Sequence, residues 1–455
     1  MIPALLVQHS FRRRQRRTAV WGNTQSFVVF LVLVVWLGLF WSVWQLSWSL
    51  SAEHRVVQGR VGKVPPQQAL VETTTTTTTV ALWQNKYNIV HVLHTRFMQH
   101  QSNLLHLGRA RINLFRTITL PSLQNQTTRE FLWMVRIDPD LHEELKNEFF
   151  RLMDEVTGNL VVVLSNTNVE GFRRHGMDDM ATENCVLGRT REDRLHRFQL
   201  VKQYHTAAQE RLVLETRLDA DDALSFDLMG WLQQEAYTHL HDDAAPSTPS
   251  RYRVWCLGTT IEWQFYNPLD ANSTLGSLVA FPYGHCVTPG ITFGYQIGAT
   301  ADDPPTHKHH KLHKSIPKCH YRELQQNQIN CLSILRKTDS SPLALRARTP
   351  TSAGMMNLFL SANKESIDKS TLQQFKKWNH FQRRAWIAVQ RLFSIQAASV
   401  QRLRRTLEAD LAMIAADNAL GQCTPGHSCK ASSQKLLHKL QNTTSNRTHI
   451  VNNRE

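Results

Sequence analysis

Between Asn88 and Asp222, four short apolar runs alternate with three segments of helical period, and this alternation restricts the fold more than any other feature of the chain. The runs are "NIVHVLHTRF" (88–97), "FLWMVRID" (131–138), "NLVVVLSN" (159–166) and "RLVLETRLDADD" (211–222). Each is short, apolar and rich in β-branched or aromatic residues, which reads as a buried strand. The first intervening segment, "LGRARINLFRTITLPSL", carries Leu107, Ile112, Leu114, Phe115, Ile118 and Leu120 at mostly helical spacing, and Pro121 is expected to close it. The second, "DLHEELKNEFFRLMDEV", places Leu141, Leu145, Phe149 and Leu152 on one stripe, and "EDRLHRFQLVKQYHTAAQ" is the third. Strands and helices in strict alternation imply an α/β fold built on a doubly wound, mostly parallel sheet. In such sheets, ligands bind beyond the carboxyl ends of the strands. Thr95, Arg96, Asp138, Asp219, Asp221 and Asp222 all fall at those ends.

The acidic cluster "DADD" at the end of the fourth strand has two readings. Asp219 and Asp221 can present oxygens to one hard cation, since Mg²⁺ or Mn²⁺ takes one or two carboxylates and completes its shell with phosphate oxygens and water. Such a cation would neutralise a diphosphate and stabilise it as a leaving group. The structural alternative is a capping loop, with Asp222 at the start of a helix from Ala223. A calcium EF-hand is excluded, because its turn glycine would fall on Leu224 and its bidentate glutamate on Gly230.

The N-terminus bears on the compartment. "SFVVFLVLVVWLGLFWSVWQLSWSL", Ser26 to Leu50, holds no charge and is long enough to cross about 30 Å of hydrocarbon as a helix. Trp36, Trp41, Trp44 and Trp48 crowd its second half like an interfacial belt, and Arg12, Arg13, Arg14, Arg16 and Arg17 precede it. Basic residues favour the cytosolic side. A cleaved signal peptide has a shorter apolar region. The expectation is a signal anchor of a single-pass type II membrane protein, with the bulk of the chain luminal. Sequons at Asn125, Asn272, Asn442 and Asn446 agree with a lumen, as do seven cysteines that all follow the apolar segment. Cys423 and Cys429 are close enough to close a small loop, and the odd count leaves one cysteine over.

The balance of 52 Lys+Arg against 37 Asp+Glu raises nucleic acid as a partner. The charge forms no single stripe, and no zinc-finger, RRM or KH signature accompanies it. Anionic small molecules or membrane surfaces are the other reading. The expected organisation is a cytosolic basic tail (1–25), the anchor (26–50), a Thr-rich stem (51–86), a globular α/β domain (87–355), a C-terminal helical region (356–420) and a polar tail (421–455).

Three motifs in order carry a resemblance: "HTRF" after the first strand, then "LFRTITLPSLQNQTTREFLWMVRID", then "TRLDADDAL". Together they resemble the rhamnosyltransferase family, which belongs to the glycosyltransferases of GT-A fold. The resemblance runs from about Ile89 to Trp231, with echoes in "PGITFGYQIGA" and "RARTPTSAGM". It implies a nucleotide-sugar donor, a glycan or glycoprotein acceptor, a Mn²⁺ or Mg²⁺ ion and a DxD-type metal site. Asp219 and Asp221 match the DxD carboxylates, and Thr95 and Arg96 match the loop that meets the nucleotide. Asp138 lies where related enzymes contact the base, and Asp222 would cap a helix or touch the donor sugar. Met98 departs from the pattern, standing where the family has Asn. A Golgi location follows as an expectation. A non-catalytic, membrane-tethered carbohydrate-binding protein on the same fold is the alternative.

An inverting transferase also needs a general base. Asp302, Asp303 and Glu262 are the candidates, although "ADDPP" also reads as a turn. The histidine-rich "THKHHKLHKSIPKCH" reads as a basic loop or as a metal site. Arg346 and Arg348 read as a phosphate clamp or as surface charge.

Overall fold

The computed structural model describes residues 86–156, 158–166, 172, 182–240, 252–267, 269–270, 272–282, 289–296, 332–337, 341–352, 373, 376–377 and 379–421. The chain divides at Thr78/Thr79, and all described residues belong to the second unit. The expected anchor, the stem up to residue 85, Asp302, Asp303, the histidine-rich stretch, Cys423 and Cys429 lie outside them. Among the described residues, no helix is long and apolar enough to cross a membrane.

The fold is mixed α/β. Strands β1 (Ile89–Phe97), β2 (Leu132–Ile137), β3 (Leu160–Leu164) and β4 (Leu212–Asp219) form the parallel part of a seven-stranded sheet. The sheet also holds β6 (Tyr252–Leu257), β9 (Ile291–Tyr295) and β10 (Leu332–Leu335), in the order β3–β2–β1–β4–β9–β6–β10. Only β9 runs against its neighbours. A second sheet, ordered β5–β11–β7–β8, is built from β5 (Ala223–Leu224), β7 (Thr259–Gln264), β8 (Ser277–Pro282) and β11 (Ala344–Arg348).

Helix α1 (Leu105–Leu114) passes through a five-residue π-helical stretch, Phe115–Thr119, into α2 (Leu120–Gln124). Pro121 therefore does not close the helix. It sits in the first turn of α2, just after a π-helical segment has already interrupted the i→i−4 ladder, so its missing N–H costs little. Helix α3 (Glu143–Glu155) starts on His142, whose side chain accepts the Glu144 N–H. Helix α4 (Arg191–Glu210) starts on Thr190, which accepts the Asp193 N–H. Helices α5 (Leu228–Leu240), α6 (Gln382–Phe393), α7 (Ala397–Ala409) and α8 (Leu411–Gly421) complete the described set.

Strand alternation sends successive side chains to opposite faces. Ile89, Leu93 and Phe97 join Trp133, Val135, Leu214 and Leu218 in a large core shared with α1, α3, α5 and the second sheet. Val90, Val92, Leu132, Met134 and Val213 form a smaller core with Phe198, Val201 and Tyr204 of α4. The sheet is thus covered on both faces, as parallel strands require.

Two polar systems are threaded through these cores. On the α4 face, buried Glu215 accepts the Phe172 N–H (2.7 Å) and the Tyr295 hydroxyl, and it pairs with His94 Nε2 at 3.0 Å. Arg136 reaches His94 Nδ1 at 2.9 Å. Burial opposes the Glu215 charge, but His94, Tyr295 and the Phe172 N–H hold its pKa down at about 2. On the other face, buried His91 contacts Thr216 Oγ1 at 2.8 Å, and Thr216 contacts Thr292 Oγ1 at 2.8 Å. Burial, with the neighbouring His94, lowers the His91 pKa to about 3.

His91 is therefore neutral in the native state, whereas an unfolded histidine binds a proton near pH 6.5. The unfolded state takes up that proton first, so the stability tied to neutral His91 is complete above pH 6.5 and is lost as pH falls toward 3. The stability difference between wild type and His91→Gln, measured by urea unfolding, should shift by about 2 kcal/mol between pH 7.5 and pH 5, with wild type losing more. A pH-independent difference would show that His91 is not held neutral.

Candidate functional site

The site begins with strand register. Arg96 of β1 pairs in register with Asp219 of β4 and with Arg136 of β2, so three strand ends finish side by side. Beyond Asp219 the chain makes a tight turn, with the Asp222 N–H donating to the Asp219 carbonyl at 3.1 Å. After the turn it enters strand β5, not a helix. The next helix starts at Leu228, so Asp222 caps nothing. Its Oδ1 instead accepts the Ala347 N–H at 3.0 Å and sutures the acidic turn to β11.

The turn is held from below by buried polar groups of the π-helical stretch, of α2 and of the segment just after it. Thr119 Oγ1 donates to the Ala220 carbonyl at 2.9 Å, between Asp219 and Asp221. Ser122 Oγ accepts the Leu224 N–H at 3.4 Å. Gln126 donates to the Ser225 carbonyl at 2.9 Å and accepts the Met229 N–H at 3.2 Å. Thr119, Ser122 and Gln126 of "TITLPSLQNQ" are thus the frame of the acidic turn. The π-helical stretch places Thr119 at the point where Ala220 needs a donor, a use typical of such insertions.

Asp219, Asp221 and Asp222 line a cavity of about 360 Å³ together with Arg96, Phe97 and Met98 from β1 and its loop, and Arg111 from α1. Arg346, Ala347 and Arg348 of β11 and Thr351 and Ser352 of the following loop close the opposite side. Arg111 donates to Gln101 Oε1 (2.6 Å), Met98 Sδ (3.2 Å) and the Thr351 carbonyl (3.4 Å). Arg348 forks onto Glu262 Oε1 at 3.0 and 3.1 Å, while Gln264 donates to Glu262 Oε2 at 2.8 Å. Both oxygens of Glu262 are therefore engaged. It anchors the arginine wall and is not among the lining residues.

The sequence-predicted residues divide accordingly. Arg96, Asp219, Asp221 and Asp222 meet in the cavity. Thr95 points to the opposite face of the sheet, where its hydroxyl accepts the Trp133 indole N–H at 3.0 Å. Asp138 is buried and accepts the Asp140 N–H at 2.9 Å, turning the chain from β2 toward α3, and it is not among the lining residues. Arg111 was not singled out by sequence reasoning. In "LGRARINLF" it reads as an ordinary polar position between core positions, and only the fold shows that it faces the carboxylates. Met98 occupies the left-handed region, with φ 50°. Asn tolerates that conformation best among residues with a side chain, which explains the Asn of the resembling family. Here the strain is borne by a buried Met whose sulfur meets Arg111.

Burial first, and then Asp219, push the Asp221 carboxyl up to about 6. Burial, Asp221 and Asp219 push Asp222 well above the ordinary carboxylate range. Burial lowers the Arg111 pKa, while Asp221 and Asp219 act against that. Among the described residues, no group of three His, Cys, Asp or Glu side chains is placed to hold a metal ion. Mg²⁺ and Mn²⁺ do not need three, since two carboxylates suffice when substrate phosphates and water complete the shell. Two carboxylates that disfavour each other's charge beside a cavity are a donor set that suits such a cation.

Residues 105–194, a minor part of the chain, match the family described as "Putative rhamnosyl transferase". The matched span includes Arg111 and Thr119 and ends before the acidic turn. No curated protein matches the chain. Among solved structures, Staphylococcus aureus TarS 1–349 in complex with UDP is 12% identical, with 73% of this chain and 80% of that chain covered and a TM-score of 0.26. Mouse xyloside xylosyltransferase 1 in its apo form is 9% identical, with 55% and 85% covered and a TM-score of 0.22. The chain is thus similar to the rhamnosyl transferase family over residues 105–194.

Removing one charge from the crowded turn should stabilise the metal-free protein. Asp221→Asn is expected to raise Tm by a few degrees in EDTA, because a group held above its ordinary pKa destabilises the folded state at neutral pH. If Asp219 and Asp221 hold a cation, Mn²⁺ should raise the Tm of wild type and leave that of this variant unchanged. Differential scanning calorimetry with and without Mn²⁺ reads both, and a lower Tm in EDTA would contradict the charge-crowding account.

Proposed function

We propose that this chain is a type II membrane glycosyltransferase of GT-A fold that moves a sugar from a nucleotide-sugar donor to a glycan or glycoprotein acceptor. The observation that carries the reading is one cavity, at the carboxyl ends of β1 and β4, that joins Asp219 and Asp221 to four guanidinium groups. Asp222 is pushed toward its neutral form, and Arg348 is paired with Glu262. With a divalent cation on Asp219 and Asp221, the remaining field is strongly positive. A diphosphate matches that field, and a neutral glycan alone does not.

The division of labour follows. Asp219 and Asp221 would hold Mn²⁺ or Mg²⁺, which supplies charge neutralisation for a departing nucleoside diphosphate. Arg96, Arg111 and Arg346 face the same space and add fixed positive charge where negative charge accumulates on the leaving group. Asp222 ties the acidic turn to β11, and Glu262 orients Arg348. Asp302 and Asp303 stay the candidates for the base; both lie outside the described residues. The similarity over residues 105–194 supports sugar transfer, and its name is the sole source of rhamnose as a donor sugar. The uncharged Ser26–Leu50 segment, the sequons and a disulfide at Cys256 support a luminal, Golgi location.

The purified luminal part should hydrolyse at least one member of a nucleotide-sugar panel, including rhamnose donors, in the presence of Mn²⁺ and not in EDTA. Asp221→Asn should reduce that rate by at least about a hundredfold with its circular dichroism unchanged. Full activity of this variant would sink the assignment. Glycan binding without donor hydrolysis would identify a tethered carbohydrate-binding protein instead. Glu262→Gln should weaken donor binding more than it lowers kcat, whereas a general base would show the reverse.

A further inference from the structure

Helix α8 makes three hydrogen bonds with elements that frame the cavity, and all three converge on one residue. Asp417 Oδ2 accepts the Leu107 N–H at 3.0 Å. That bond caps α1 from another helix, since the cap residue of α1, Leu104, has no capping side-chain bond of its own. The Gly421 carbonyl accepts the Gln101 amide at 3.3 Å. Asn418, almost fully buried, donates to the Pro350 carbonyl at 2.9 Å. A side chain at position 421 would have to displace the Gln101 amide, which lies close against this glycine.

Each of the three bonds supports a contact of Arg111. The capped helix α1 carries Arg111. Gln101, held by Gly421, receives its shortest bond at 2.6 Å. Pro350, held by Asn418, precedes Thr351, whose carbonyl receives another at 3.4 Å. Such redundancy is more than packing a helix requires. An arginine with freely rotating torsions would lose most of its binding advantage to side-chain entropy, and holding it in place before the ligand arrives removes that loss.

We propose that α8 is a positioning element for the anion-binding wall, in which Asp417 and Asn418 set Arg111 for a diphosphate. The proposal rests on the reading of the cavity as a metal–diphosphate site. Asp417 and Asn418 touch no ligand themselves. They act through Arg111.

The test uses the full chain, with Mn²⁺ and Mn²⁺–pyrophosphate as probes in titration calorimetry. Asn418→Asp cannot donate to Pro350, and Asp417→Ala cannot cap α1. Each should weaken Mn²⁺–pyrophosphate binding about five- to tenfold and leave binding of Mn²⁺ alone unchanged. Asp417→Asn keeps an accepting oxygen and should restore wild-type affinity. In an Arg111→Met background, Asn418→Asp should cause no further loss. Equal losses in both backgrounds, or an equal loss of binding to Mn²⁺ alone, would overturn the proposal. Amide exchange separates it from the reading beneath it. Wild type that binds Mn²⁺ but no pyrophosphate overturns the diphosphate reading. Unchanged exchange of residues 349–352 in Asn418→Asp and of residues 105–114 in Asp417→Ala overturns the positioning role itself.

Discussion

Three carboxylates confined to one four-residue turn repel one another, and the rest of the site is arranged around that repulsion. Alone, the sequence Asp219 to Asp222 would open into solvent. It stays closed because Thr119 holds the Ala220 carbonyl, Ala347 holds Asp222, and Arg111 and Arg346 place positive charge nearby. These groups come from α1, the π-helical stretch and β11, which lie far from the turn in sequence. The tertiary fold therefore maintains an energetically costly cluster that no local structure would keep. Such local conflict is what functional sites characteristically retain.

The parallel sheet makes this arrangement available. Register aligns the ends of β1, β2 and β4, so that Arg96 lies beside Asp219. The period-two alternation of the strands then sorts adjacent residues into different roles. Arg96 lines the cavity, whereas Thr95, one residue earlier, serves the core by meeting Trp133. The charged ladder of the α4 face continues below the site through Glu215, His94 and Arg136, where every charge has a hydrogen-bonded partner. Buried charges on this scale are tolerable only when paired in this way.

Much of this was legible beforehand. The apolar runs predicted strands β1 to β4 within three residues at each end, because buried parallel strands leave an unbroken hydrophobic signature. The position of the acidic cluster at a strand end followed from the same alternation. Pro121 misled because a π-helical stretch, invisible in the pattern of apolar residues, changed what a proline costs there. Asp222 misled because the sequence shows no sign that β5 will pair with β11 and take the place of a helix. The resemblance placed Asp138 at the nucleotide base, and Glu262 was a candidate general base. Their partners, a backbone N–H two residues on and Arg348 across a second sheet, become visible only once hydrogen bonds are drawn.

By itself the sequence determined the alternating β and α elements, the strand ends on which polar residues collect, and the acidic turn, all of which depend on residues near one another in the chain. Only the tertiary structure decided which polar residues share the cavity. Arg111, Arg346 and Arg348 reach it from α1 and β11, and α8 braces Arg111 through Gln101 and the loop at Pro350. The physical reason is range. Hydrophobic period is set by neighbours a few residues apart, whereas charge compensation acts across space and takes whatever partner the folded backbone brings within a few ångströms.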